Sequence, residues 1–212
     1  LLQIPISYAM LVSTAEYLII NHQSFVIFAQ KSANSFADFN MLALPAFLFV
    51  GCFMNEVGLT DRLFEMLESW LGHLKGGLAH ANVLASMVFA GMSGSALADA
   101  GGLGTIEAKA RTEAGYDKDF SIAVTAASAG IGPIIPPSIN FVMWAFLSQT
   151  STLAMFEAGY LPGLIMGLAM MLWIAIAMKT QNIKCPKTRK YSFNEKLSAT
   201  WKAFPALGGP LI

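Results

Sequence analysis

Two short stretches hold the residues best suited to chemistry. Residues 91–104 read GMSGSALADAGGLG and residues 130–140 read GIGPIIPPSIN. Each sets glycine, serine or proline into surroundings that are otherwise strongly apolar. Irregular backbone leaves carbonyls and amides without partners, and in lipid it survives only inside protein or beside a polar cavity. Carbonyls at the C-terminal end of a half-helix are hard oxygens with partial negative charge, which suit Na⁺. Amides at an N-terminal end suit an anionic group. The first stretch offers Ser93, Gly94 and Ser95, and the second offers Gly132, Pro133 and Ser138. Serine hydroxyls donate or accept, and glycine lets backbone approach an ion. Plainer roles stand beside these. Gly91, Gly94, Gly101, Gly102 and Gly104 also suit close helix packing, and Pro136–Pro137 suits a simple kink. Asp99 either complements the dipole of a helix beginning near Ser95 or helps attract a cation.

The elements that must carry these stretches are membrane helices. The chain has 212 residues, 55% hydrophobic and 12% charged, with zero net charge; ordinary soluble domains carry about 25% charged residues. The balance gives no basis for nucleic-acid binding. The chain opens on Leu1 and stops within apolar sequence, and reads as a piece of a longer protein. Cys52 in an apolar span and Cys185 in a basic loop are expected to stay unpaired. His73 and His80 lack metal spacing and read as structural or solvated.

In chain order, residues 3–20 read as a span that contains Glu16, which belongs near the interface or against protein. Residues 30–40 read as a short polar connection, and 41–57 as a second span. Residues 61–74 place Leu63, Phe64, Leu67, Trp70, Leu71 and Leu74 on one helical face, giving an amphipathic helix at the interface or packed on neighbours. Residues 77–106 contain Asp99 as their one Asp, Glu, Lys or Arg. Residues 78–91 cover only about 21 Å, too short for about 30 Å of hydrocarbon. The glycines then interrupt, so 77–110 reads as a re-entrant hairpin. Residues 120–156 hold 37 residues without an Asp, Glu, Lys or Arg. Pro133, Pro136 and Pro137 break that run into half-helices near 119–131 and 138–149. Residues 153–178 read as an ordinary span, 179–203 as a linker, and 204–212 as the start of a further membrane segment.

Charge sets the orientation. Residues 179–202 carry seven Lys or Arg against Glu195 alone, which makes the linker cytoplasmic. Tracing the chain backwards, with the hairpin entering and leaving on one side, puts twelve of thirteen basic residues inside and Lys31 outside. Arg111 counts among the cytoplasmic ones. A full span across 77–110 would scatter the basic loops over both faces.

At LPAFLFVGCFMNEVGLTDRL (44–63), HLKGGLAHANVLASMVFAGMSGSALADAGGLGTI (73–106) and TAASAGIGPIIPPSI (125–139), the chain resembles the large membrane subunit of the tripartite ATP-independent periplasmic (TRAP) transporters. The GGLG at 101–104 departs from a more alanine-rich form. The resemblance implies an all-α membrane protein of inverted repeats, each with a re-entrant hairpin and a proline-broken helix, of which residues 1–178 would be the first. It implies an elevator-type, Na⁺-driven importer of organic acids, such as C4-dicarboxylates or sialic acids, in the bacterial or archaeal inner membrane. The implied partners are a small membrane subunit and a periplasmic solute-binding protein. Ser93, Gly94, Ser95, Gly132, Pro133 and Ser138 would form a Na⁺ site, with Ser95, Asp99, Ser138 and Asn140 as substrate contacts. A single-component Na⁺–dicarboxylate carrier is the near alternative. An enzyme is not expected: HExxH is absent and Asp99 has no second acid beside it in sequence. No phosphate-binding loop points to a primary pump.

Overall fold

A computed structural model describes residues 4–37, 39–94, 96–180, 183–186 and 190–208, and the regular structure among them is helical throughout. The chain divides into two compact units, Leu1–Leu42 and Ala43–Ile212.

In the first unit, α1 (Ile6–Ile20) follows Pro5, whose carbonyl accepts from the Tyr8 and Ala9 amides at 3.0 and 3.2 Å. Leu18 is its one buried residue. A helix apolar on every side and exposed as a single chain is built for lipid or for a partner. It ends where His22 turns left-handed (φ 51°) and the Gln23 amide returns to Leu18 O at 2.8 Å. The polar stretch expected as a connection is instead helical, because α2 (Phe25–Ala37) runs through most of it. Ser24 Oγ accepts from the Val26 amide at 3.2 Å and starts this helix. No Gly or Pro follows to stop it before Ala37. Asp38, also in the expected connection, lies outside the described residues.

Most of α3 (Phe39–Glu56) belongs to the second unit. α4 (Leu59–Leu71) buries Leu63, Phe64 and Met66 and turns Asp61, Arg62 and Glu65 outward. Its apolar face differs from the expected one at its end. Leu74 lies exposed beyond the helix, and half-exposed Trp70 is tied to α11 (Phe193–Gly208). Trp70 Nε1 donates to Thr200 Oγ1 at 3.1 Å, and Lys196 Nζ stands 5.3 Å from the Trp70 ring centroid. α11 therefore runs across the boundary drawn at 203/204 and begins inside the expected linker. Its small buried residues Ala203 and Ala206 bring it close to α4.

α5 (Gly77–Ser93) is central, packed on α4, on α8 (Lys118–Ala129) and on α10 (Thr152–Thr180). Leu78, Ala79, Ala81, Val83 and Ala85 are all buried at 1% exposure or less. After Gly94 come α6 (Ala96–Gly101) and α7 (Leu103–Glu113). These two short helices form the limb that follows the turn. The limb is broken at Gly102, whose φ −89°, ψ −96° is not helical. α8 is capped by Asp117, whose side chain accepts from the Phe120 amide at 3.0 Å. α9 (Ile139–Ser148) follows the segment 130–138.

α10 is the one described helix long and apolar enough to cross a membrane, 29 residues or about 44 Å. It is more than the ordinary span expected. Gly159, Gly163 and Gly167 fall one turn apart, and a Cβ on them would collide with Phe141, Ile135 and Met87 respectively. This stripe lets α10 close on α5, on α9 and on the segment before α9.

Candidate functional site

The two glycine- and proline-bearing stretches meet in the second unit. α5 ends at Ser93, and Gly94 turns the chain with φ +57°, a left-handed conformation that glycine adopts without strain. A Cβ built on Gly94 would stand 2.8 Å from Ile139 N, 3.2 Å from Ser138 Cα and 3.3 Å from Pro137 O. Backbone is thus laid on backbone, and nothing larger than hydrogen fits between. Five residues after Gly94, a second contact joins the same two segments. Asp99, 2% exposed, lies against Gly132, where a Cβ would run into the Asp99 carboxylate.

Segment 130–138 is a run of tight turns. The amides of Gly130, Ile131 and Gly132 return to Ala127 O, Ser128 O and Ala129 O at 3.2, 2.9 and 3.1 Å. Proline then removes the donors that would extend the helix, and Pro136–Pro137 is cis. Ser138, fully buried, occupies the N-cap position of α9 but makes no side-chain cap. Its hydroxyl donates instead to Pro133 O at 2.6 Å. Two consequences follow. The first-turn amides of α9 are left without the usual capping oxygen, and the lone pairs of Ser138 Oγ stay available to a cation. Beside them lies a small cleft of about 240 Å³ lined by Gly94, Ala96, Leu97, Pro133, Ile139 and Asn140.

The candidate residues are therefore placed as follows. Gly94, Pro133 and Asn140 line the cleft, while Ser138 and Gly132 are buried behind it within the same turns. Asp99 packs on Gly132. Ser93 closes α5, and Ser95 lies outside the described residues. Among the described residues no three His, Cys, Asp or Glu side chains gather as a transition-metal site would require. The donors present are carbonyl, hydroxyl and carboxylate oxygens, the set that suits a hard cation.

Sequence reasoning missed a second polar constellation, between α5, α7 and α8. Asn82 Nδ2 donates to Glu107 Oε2 and, at 3.2 Å, to Ser128 Oγ. Ser86 Oγ donates to Ser128 Oγ at 3.0 Å. Thr125 Oγ1 donates to Asn82 Oδ1 at 3.2 Å. Arg111 Nη2 donates to Ser121 O at 2.8 Å and to Thr125 Oγ1. Glu107 is 1% exposed and Arg111 0%, so Arg111, counted above among the cytoplasmic basic residues, is buried between helices. The available signal was spacing. Asn82 and Ser86, Glu107 and Arg111, and Ser121 and Thr125 are each four apart on their helices, which puts each pair on one face.

The family described as "Tripartite ATP-independent periplasmic transporter, DctM component" matches residues 1–212. The sialic acid TRAP transporter large permease protein SiaM of Vibrio cholerae is 39% identical over 210 residues, covering 98% of this chain and 48% of that protein. The sialic acid TRAP transporter permease protein SiaT of Haemophilus influenzae is 39% identical over 212 residues, covering 99% of this chain and 34% of that protein. The C4-dicarboxylate TRAP transporter large permease protein DctM of Pseudomonas aeruginosa is 37% identical over 165 residues, covering 78% of this chain and 38% of that protein. The chain thus spans half or less of the length of these relatives. With a family match end to end, it belongs to the DctM component family of tripartite ATP-independent periplasmic transporters.

Proposed function

We propose that this chain forms the first repeat, with its trailing linker, of the large membrane subunit of a Na⁺-driven organic-acid importer. It would sit as a multi-pass protein in the inner membrane with linker 179–203 cytoplasmic. It would work beside a small membrane subunit and receive solute from a periplasmic binding protein. One observation carries the reading: the tip at Gly94 lies on the backbone of 137–139 at the uncapped start of α9. A cation held by the Ser138 oxygen and by carbonyls of 93–95 and 132–133 would bridge the two breaks. The first-turn amides of α9 and Asn140 would then receive a substrate carboxylate. Asp99 beside Gly132 supplies negative charge next to the cation. Residues 77–110 act as a re-entrant hairpin in this reading, and the hairpin with α8 and α9 moves across the bilayer as one body. The sialic-acid and C4-dicarboxylate relatives make a small organic acid the substrate class to test first.

The test is uptake of labelled sialic acid and C4-dicarboxylates into proteoliposomes holding the full-length protein and its small subunit. An inward Na⁺ gradient and the binding protein are each supplied or withheld. Uptake that needs both is expected. Uptake with Na⁺ alone would make this a single-component carrier, and uptake indifferent to Na⁺ would overturn the role given to the two breaks.

A further inference from the structure

We infer that Glu107 and Arg111 are positioning residues for the tip–break site, two buried side chains joined through Asn82 and Thr125 that fix the register of α7 against α5 and α8. The inference deepens the transporter reading and rests on it. The two side chains follow one another by one turn of α7, yet the structure joins them through other helices. Arg111 reaches α8 at Ser121 O and Thr125 Oγ1, Thr125 reaches Asn82 on α5, and Asn82 reaches Glu107 back on α7. The loop closes over three helices, and both charges are wholly buried. A buried arginine stays charged and needs a counter-charge; the loop ties Arg111 to the Glu107 carboxyl group through Thr125 and Asn82, while Arg111 Nε and Nη1 and Glu107 Oε1 carry no hydrogen bond of their own.

Thr125 links this loop to the site. Its hydroxyl sits in the loop, while its methyl faces Gly104, where a Cβ would come within 2.5 Å of Thr125 Cγ2 and 3.1 Å of Asp99 O. Gly104 therefore seats the start of α7 on Thr125, directly beneath Asp99, and Asp99 rests on Gly132. On the α8 side Ser128 is held by Asn82 and Ser86, and the Ile131 amide returns to Ser128 O. The turn that carries Gly132 is thus anchored to the same loop. Sliding α7 along α8 would break the loop and lift Asp99 from Gly132 in one movement. The pair touches neither ion nor substrate; it acts through Thr125, Gly104 and Asp99.

The test uses the full-length transporter with its small subunit. Glu107→Gln alone leaves a buried unpaired Arg111 and risks misfolding, so the deciding variant is Glu107→Gln/Arg111→Met, which removes the tie and leaves no net charge. Two readouts are taken. One is the half-saturating Na⁺ concentration for uptake. The other is hydrogen exchange in the tip, residues 94–102, and in α7. Half-saturating Na⁺ is expected to rise by about twofold to thirtyfold, the span of 0.5–2 kcal/mol that coupling residues reach, with exchange in the tip accelerated. Arg111→Lys with native Glu107 keeps the charge and is expected to recover part of the Na⁺ affinity. A double variant whose exchange quickens in α7 alone, with tip exchange and Na⁺ activation as in the parent, would overturn the inference and leave the pair a structural tie. If the parent itself shows no Na⁺ dependence, the transporter reading fails, and tip exchange by itself decides the positioning role.

Discussion

Gly94→Ala tests whether the hairpin tip is seated on the break. Two costs add at that residue. Its φ of +57° is left-handed, which an L-residue with a Cβ adopts at about 1–2 kcal/mol. The new Cβ would stand 2.8 Å from Ile139 N and 3.2 Å from Ser138 Cα. Those neighbours are backbone and cannot swing aside as a side chain would, so overpacking adds about 1–3 kcal/mol. The sum, about 2–5 kcal/mol, falls on the closed tip and lowers its population by about thirtyfold or more, at tenfold per 1.36 kcal/mol. If Na⁺ binds only the closed arrangement, half-saturating Na⁺ rises by the same factor. The assay is the Na⁺ dependence of uptake in proteoliposomes, with thermal unfolding in detergent alongside. Gly94→Asn separates the two costs. Asparagine tolerates the left-handed region but carries the same Cβ, so it should fall between parent and Ala. Gly101→Ala is the matched control, because nothing lies within 4 Å of its Cβ. Parent-like Na⁺ activation and parent-like unfolding in Gly94→Ala would refute the packing of the tip on 137–139.

Further variants address single contacts. Ser138→Ala leaves part-buried Pro133 O without its donor, costing about 0.5–1.5 kcal/mol, and should weaken Na⁺ activation as well as stability; loss of stability alone would remove Ser138 from the cation site. Gly104→Ala, forced against Thr125 and Asp99, should raise half-saturating Na⁺ while Gly101→Ala does not; equal behaviour of the two would undo the argument from Gly104. Asp117→Ala removes the N-cap of α8, worth about 1 kcal/mol, and should lower the unfolding temperature with little change in Na⁺ dependence. Burial pushes the Cys185 thiol above its ordinary range, with Lys75 pulling partly back. Because the thiolate is the reactive form, maleimide labelling of Cys185 at neutral pH should be slower than in the denatured chain and should climb as pH rises. The folded state holds that proton more tightly than the unfolded state. Its contribution to stability is therefore complete below the unfolded pKa and is lost as pH rises through the folded one.

The punctuation of this chain was legible because backbone chemistry writes it. Pro133, Pro136 and Pro137 lack the donors a helix needs, and the interval between Ala129 and Ile139 falls among them. Gly94 was legible as a break and not as a contact, since its partners are backbone atoms some 45 residues away and no side chain announces them. The reading failed where long-range packing decides. Residues 30–37 look like a loop by polarity and are helical because Ser24 starts a helix that nothing interrupts. Gly159, Gly163 and Gly167 pass for composition in an apolar span until Phe141, Ile135 and Met87 are seen against them. Arg111 was counted only as a cytoplasmic charge, because the loop that buries it runs over three helices, which spacing within α7 does not reveal.

The polar loop between α5, α7 and α8 also bears on how the protein is made. Asn82 leaves the ribosome 25 residues before Glu107, 43 before Thr125 and 46 before Ser128. At roughly 5–20 residues per second, the last of these partners follows about 2–9 s behind. During that interval the Asn82 amide has Ser86 Oγ of its own 17-residue helix, at 3.4 Å, and none of its partners on α7 and α8 beyond those already made. The second amide proton and the amide oxygen of Asn82 wait without those partners, which is costly in an apolar surrounding. Asn82 therefore has its full set of partners only once α8 has been synthesised.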